Sequence, residues 1–274
     1  MPELPEVEVL RRSLEARVLG DRVESVAVRF PTLREPISAP VLRRRLAGRR
    51  IERLRRRAKY LLMDVEGGST LVVHLGMSGR LLVVPAGEPS APHEHVVISL
   101  ASGRTLRFRD PRRFGLLLAL PTGRIERDRH FRHLGVEPLE SGFDGARLAA
   151  KARGRFGPVK SFLMDAAIVV GVGNIYACEA LHLAGIHPAR SVARISQRRF
   201  DGLASAVRDV LGRAIAEGGT TLNDFADADG EPGYFAVSLH VYGREGEPCL
   251  RCGAIVRRIV QSNRSTFYCP RCQR

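Results

Sequence analysis

Two Cys-x-x-Cys knuckles stand at the end of the chain, Cys249-Leu250-Arg251-Cys252 and Cys269-Pro270-Arg271-Cys272, with sixteen residues between them. No other stretch restricts its own fold as tightly. Each knuckle can put two thiolates on one tetrahedral ion, and the length between them suits a β-hairpin, which is the pattern of a zinc ribbon. A site closed by four cysteines keeps no open coordination position, so a single zinc there builds structure and does not catalyse. Two disulfides are the alternative, and they require an oxidising compartment. The stretch between the knuckles, RRIVQSNRSTFY, is basic. Arg264 and its neighbours can lie on a phosphate backbone, or simply form a solvated face. Cys178 stands alone in helix-like sequence and reads as a buried apolar residue.

The chain has 274 residues, enough for two domains or one large domain with an appendage. It has no apolar run near the roughly eighteen residues of a membrane span. Its acidic, proline-containing start lacks the basic segment and apolar run of a signal peptide. A cytoplasmic protein without a membrane partner is expected. Formal net charge is +15, which makes polyanions the natural partners. That charge is almost all arginine, since Lys59, Lys151 and Lys160 are the only lysines. A lysine among so many arginines invites a role beyond charge.

The hydropathy pattern predicts an α+β protein. Val7, Leu10, Leu14 and Val18 fall at helical spacing before Gly20, so a helix starts almost at the first residue. Strand patterns follow: Val26, Val28 and Phe30 alternate, TLVVHL and RLLVV flank Gly76-Met77-Ser78-Gly79, and HVVISL and RTLRFR flank Ala101-Ser102-Gly103. An antiparallel β-sandwich or barrel over residues 2–135 is expected, then a turn-rich linker over 136–150. A helical domain over 151–235 would carry the long segment GGTTLNDFADADGEPGYF as a functional loop. The zinc hairpin would occupy 236–274.

The first residues, MPELPEVEVL, set three glutamates at the head of a basic chain. Methionine before a small residue such as proline is usually removed, which would leave a secondary amine on Pro2. An α-amino group has a pKa of about 7.7–8.0, against about 10.4 for lysine, so more of it is unprotonated near neutrality. Only the unprotonated amine is a nucleophile. Attack by a secondary amine on an acetal carbon gives an iminium ion that stays cationic and acidifies the neighbouring carbon. Glu3 and Glu6, one helical turn apart, can donate or relay protons. They can equally just oppose the positive end of the helix dipole.

The start PELPEVE, RRAKYLL with Lys59, HLGMSG, DPRRFG, GVGNIYACEALHLAGIHP and the terminal zinc ribbon occur in one order along the whole chain. Together they closely resemble the bacterial formamidopyrimidine-DNA glycosylase family, base-excision enzymes for oxidised purines. The resemblance implies an N-terminal β-sandwich, a helix–two-turn–helix domain and one structural zinc on Cys249, Cys252, Cys269 and Cys272. It implies Pro2 as the nucleophile at C1′, Glu3 as general acid, Glu6 as a supporting carboxylate and Lys59 near the reacting sugar and phosphate. A Schiff base and β- and δ-eliminations would follow, with Arg264 assisting the second. His74, Asn174 and Arg264 fall at phosphate-gripping positions, and His93, Arg155 and Lys160 at further positions of the family's DNA-binding pattern. Met77, Arg112 and Phe114 match the residues that fill the space left by an everted base. On the residues alone, Met77 is a turn residue and Phe114 a core residue. The implied partner is double-stranded DNA with an oxidised base, bound by a monomer.

Two positions depart from the family pattern. Ala166 follows Leu163-Met164-Asp165 where a glutamine or asparagine is usual, and Asn223, in the lesion-binding loop, stands where many members carry a cation. Three other readings remain. A ribosomal or RNA-binding zinc-ribbon protein would explain the charge and the cysteines, yet not the N-terminal residues. A sister enzyme for oxidised pyrimidines, of the endonuclease VIII type, typically has glycine where this chain has Leu4, and a shorter lesion loop. A DNA-binding module without chemistry would have no need of Pro2, Glu3 and Lys59.

Overall fold

The structure, a computed structural model, describes residues 1–220 and 238–274. The chain forms two compact units, one of Met1–Arg132 with the segment that returns at Glu217, the other of His133–Ala216 with the C-terminal part of the chain.

In the first unit, helix α1 (Leu4–Val18) buries Val7, Leu10, Leu14 and Val18 along one face. Pro5 sits in its first turn, where a missing N–H costs nothing. There follow β1 (Val23–Val28), α2 (Ala39–Leu46), β2 (Ile51–Arg57), β3 (Tyr60–Val65), β4 (Ser69–His74), β5 (Arg80–Pro85), β6 (Glu94–Leu100), β7 (Arg104–Arg109) and β8 (Leu116–Pro121). These strands make two four-stranded antiparallel sheets, in the orders β1-β6-β7-β5 and β2-β3-β4-β8. One core joins them: Val26, Ile98, Leu106 and Phe108 from the first sheet, Leu54, Leu61, Leu71 and Leu117 from the second, and the buried face of α1.

The runs TLVVHL and RLLVV are β4 and β5, yet they do not pair: β4 lies between β3 and β8, and β5 pairs with β7. The Gly76–Gly79 turn therefore carries the chain from one sheet to the other. HVVISL and RTLRFR do form a hairpin, with Ile98 opposite Leu106. Within it Arg107 is buried, because the equally buried Glu94 takes Arg107 Nη1 at 3.1 Å, Arg109 Nη2 at 2.9 Å and Arg29 Nη1 at 2.8 Å. A buried charge is tolerated when paired in this way.

The second unit holds α3 (Gly145–Ala152), α4 (Val159–Leu163), α5 (Asn174–Leu183), α6 (Gln197–Ala216) and the hairpin of β9 (Arg257–Gln261) and β10 (Arg264–Tyr268). Helix α3 begins inside the stretch read as a linker. Asp144 caps it by accepting the Arg147 N–H at 2.7 Å, and Leu148 and Ala152 bury its inner face. Glu179, buried on α5, accepts the N–H groups of His240, Val241 and Tyr242 at 2.8–2.9 Å. That grip holds the chain entering the zinc region. Among the described residues, no helix is long and apolar enough to cross a membrane.

Leu14 is fully buried in the first core. Leu14→Ala is expected to cost about 2–5 kcal/mol, read as a lower urea midpoint at unchanged slope. A midpoint equal to that of the wild type would remove α1 from the core.

Candidate active site and nucleic-acid surface

The head of α1 is built by its carboxylates. Pro2 and Glu3 are buried, and Glu3 is the N-cap of a capping box with Glu6. The Glu3 N–H donates to Glu6 Oε2 at 2.7 Å, and the Thr220 N–H donates to Glu6 Oε1 at 2.9 Å. Glu6 therefore holds two backbone segments with its two oxygens. Glu3, 2 % exposed, directly follows Pro2 in the chain.

Lys59 occupies the two-residue turn Ala58-Lys59 between β2 and β3, with Ala58 in the left-handed region at φ 54°. The next residue, Tyr60, pairs with His74 across β3 and β4, and their rings lie 4.9 Å apart. His74 Nδ1 accepts the Gly76 N–H at 3.0 Å. Burial, then the positive charges of Lys59, Arg34 and His130, push the His74 pKa down to about 4. The neutral ring with Nδ1 occupied as acceptor carries its proton on Nε2, and so presents an N–H donor.

Beyond His74 two loops meet. An added Cβ on Gly76, itself at φ 65°, would lie 2.4 Å from the Phe114 carbonyl carbon, and one on Gly115 would lie 2.9 Å from Asp110 Oδ2. Only glycine allows this approach. The loops leave Met77 40 % and Phe114 47 % exposed, with the Arg112 guanidinium 5.1 Å from the Phe114 ring centre. A thioether, a phenyl ring and a guanidinium thus stand together on the surface of one unit. His93 is exposed at φ 63° just before β6, and its carbonyl accepts the Asp110 N–H at 3.1 Å.

In the second unit, Lys160 is 2 % exposed, and its Nζ donates to Asn174 Oδ1 at 2.5 Å and to Thr266 Oγ1 at 2.6 Å. Asn174 Nδ2 donates to the Ser265 carbonyl at 2.9 Å. Lys160 and Asn174 thereby tie α4 and the start of α5 to β10, beside the exposed Arg264. Arg155 is exposed, 3.3 Å from Asp165. Asn223 lies outside the described residues. The β9–β10 turn, Ser262-Asn263, has both residues at positive φ (49° and 57°), the hairpin geometry that matches strand twist.

All four cysteine Sγ atoms lie within 4.8 Å of one another, with Cys252 and Cys269 at 3.5 Å and Cys249 and Cys272 at 4.0 Å. Thiolates on a tetrahedral zinc at about 2.3 Å would lie about 3.8 Å apart, so the donor set fits one structural zinc. His182 on α5 sets its Nε2 3.5 Å from Cys249 Sγ.

Family models cover most of the chain. Residues 1–117 match the formamidopyrimidine-DNA glycosylase N-terminal domain, 134–226 its H2TH domain, and 246–274 a zinc finger found in FPG and IleRS. A formamidopyrimidine-DNA glycosylase of Stenotrophomonas maltophilia is 53 % identical over 274 residues, the full length of both chains. The chain belongs to the formamidopyrimidine-DNA glycosylase family. Its fold is similar, with a TM-score of 0.93 and 31 % identity over the whole of both chains, to a Lactococcus lactis FPG mutant in complex with Fapy-dG containing DNA. The MutM (FPG) protein of Thermus thermophilus is 40 % identical, with a TM-score of 0.89 over 99 % of this chain and 98 % of that one. The expected α+β architecture, the helix–two-turn–helix domain and the four-cysteine zinc site stand, and the chain is a DNA glycosylase acting on damaged bases.

Asp110, Ser78, Thr220, Glu179 and His182 also steady this glycosylase fold, and the sequence alone assigns them no role. Asp110 and Ser78 lie inside the quoted motifs DPRRFG and HLGMSG, so a signal existed. Thr220 is 214 residues from Glu6, and nothing local links them.

His74 is neutral when folded and gains a proton on unfolding below its ordinary pKa of 6.5. Its contribution to stability is complete above about pH 6.5 and is lost as pH falls toward 4. Between pH 7 and 5 that loss is about 2 kcal/mol. His74→Gln is expected to flatten the pH dependence of the urea midpoint by that amount, and an unchanged profile would refute the neutral assignment. One zinc per chain is expected by elemental analysis, falling well below that in Cys269→Ser; full zinc in the variant would exclude the four-thiolate site.

Proposed function

We propose that this protein is a bifunctional glycosylase and AP lyase that removes oxidised purines, 8-oxoguanine and formamidopyrimidines, from duplex DNA. The observation that carries the reading is the head of α1: Pro2 and Glu3 are buried, and Glu6 holds the Glu3 N–H at 2.7 Å and the Thr220 N–H at 2.9 Å. An amine and a carboxyl group kept this still are suited to chemistry at one carbon. The relative from L. lactis was solved with Fapy-dG containing DNA, which supports the substrate class.

The reaction follows from the groups. With Met1 removed, the Pro2 nitrogen attacks C1′ as the C1′–base bond breaks, and the departing base takes a proton. The amine loses its own proton, and the sugar ring opens at O4′ to leave an iminium cation. That cation acidifies C2′–H: the C2′ proton is lost, its electron pair moves into C1′–C2′ as the iminium becomes an enamine, and the enamine expels the 3′ phosphate from C3′. A second elimination expels the 5′ phosphate, and water then frees the amine. Glu3, which follows Pro2 in sequence and is buried with it, is the proton donor to the opening sugar or departing base, a role open to a carboxylic acid within hydrogen-bond reach of the reacting atoms. Lys59 assists at the sugar and the 3′ phosphate, and Arg264 at the second elimination. Glu6 acts by position, because its oxygens hold backbone N–H groups.

The neutral His74 offers Nε2–H to a phosphate oxygen, and Arg155, Arg112 and His93 add exposed contacts. Lys160 acts through Asn174, since its ammonium is buried. Met77, Arg112 and Phe114 fill the stack when the damaged nucleotide is turned out, with the guanidinium bonding the widowed base. Asn223 belongs to the lesion-binding loop, where it replaces a cation. Binding as a monomer in the cytoplasm completes the reading.

Borohydride trapping on a duplex with one 8-oxoguanine opposite cytosine tests it. A crosslink on Pro2, in a protein whose mass lacks one methionine, is the expected result. Pro2→Gly and Glu3→Gln should lower trapping by at least about 10²-fold. Trapping confined to an oxidised pyrimidine would assign the sister activity. A retained Met1 in active protein would exclude the Pro2 amine.

A further inference from the structure

Asp110 follows β7 and is fully buried, and no step above uses it. Its carboxylate faces both loops that carry the wedge side chains. Oδ1 accepts the Ser78 hydroxyl at 2.7 Å and the Arg112 N–H at 3.3 Å, while Oδ2 accepts the Gly115 N–H at 2.7 Å. Ser78 is the neighbour of Met77, and Arg112 and Gly115 bracket Phe114. The Ser78 oxygen also accepts the Arg112 N–H at 3.3 Å. The main chain of Asp110 is held as well, its N–H on the His93 carbonyl at 3.1 Å and its carbonyl 2.9 Å from His95 Nε2.

A carboxylate is an acceptor with two oxygens, and here both are filled by donors from two separate loops. Asparagine would replace one oxygen with a donor, which would then face another donor on one loop or the other. Buried without these bonds, the charge would be strongly unfavourable, so the loops and the carboxylate depend on one another.

We propose that Asp110 is a positioning residue for base eversion, clamping the Met77 loop and the Arg112–Phe114 loop into one rigid wedge. The inference rests on the glycosylase reading above. Turning a base out of a duplex requires unstacking, and the wedge must meet the opened step as a unit. Separate loops would each have to be ordered at that moment. The clamp orders them beforehand.

Two substrates separate this role from a general one. A duplex with 8-oxoguanine opposite cytosine needs the wedge, whereas a single strand with a preformed abasic site presents C1′ without eversion. Asp110→Asn should lower the trapping rate on the duplex by about 10²-fold, the scale of a misplaced group, and change it less than about twofold on the single strand. Ser78→Ala, which removes one bond of the clamp, should show the same selectivity at about tenfold and carries the test if Asp110→Asn does not fold. With 2-aminopurine beside the lesion, the fluorescence rise on binding should slow in parallel. Equal losses on both substrates, or no loss on the duplex, would overturn the proposal. Wild-type protein that traps on neither substrate would overturn the glycosylase reading, and this one with it.

Discussion

A single buried carboxylate, that of Glu6, holds the start of the chain in place. Chain termini ordinarily fray, and a nucleophile at a terminus is useful only if it does not. Here the first helix buries four apolar residues in the core of the sandwich, which fixes its axis. Glu6 then fixes its first turn by bonding the Glu3 N–H, and binds the Thr220 N–H with its other oxygen. These are orphan donors that water would otherwise satisfy, and satisfying them with a buried acceptor removes the freedom of the residues ahead of the helix. Everything proposed for Pro2 and Glu3 depends on that restraint.

The same physics recurs wherever the chain must keep an irregular segment still. Glu179 grips three consecutive N–H groups, Glu94 gathers three arginines, and Asp110 joins two loops. In each case a buried anion is balanced by several donors, which makes its position hard to change without leaving charge unpaired. The surfaces so supported are exposed and apolar or cationic, as with Met77, Phe114 and Arg112. Rigid support beneath exposed side chains keeps a surface in one geometry before any partner arrives.

What the sequence discloses follows from the range of the interaction. The periodicity of α1, the alternation of β6 and β7 and the cysteine spacing are local, and the structure has them where the residues indicate. The Gly76–Gly79 turn looks locally like a hairpin but crosses between sheets, because pairing partners are chosen by the core and not by the turn. Arg107 sits where alternation predicts an exposed side chain, and its burial depends on Glu94, thirteen residues away in the neighbouring strand. Lys160 is a rare lysine within a family pattern that binds DNA. Its ammonium bonds Asn174 and Thr266, the latter a relation across 106 residues that no local pattern encodes. The motifs name the candidate residues. They do not reveal what steadies them.

The zinc region extends this logic to a part of the chain too small for a large core. Its apolar cluster is made of Val241, Val256, Phe267 and cysteines, together with Cys178 from α5. The metal site and α5 are therefore one packing problem. Lys160 and Asn174 bond to Thr266 and Ser265 on β10, Glu179 holds the approach to the first knuckle, and His182 sets a ring nitrogen against Cys249 Sγ. Arg264 begins β10, two residues from Thr266, at a tight turn whose two residues are both left-handed. Its cation is thus placed by a sequence of short-range constraints: zinc closes the knuckles, the knuckles frame the hairpin, and the hairpin is bonded to the helix–two-turn–helix element. A guanidinium held in this way loses less conformational entropy on engaging an anion than a long side chain on a loose loop would.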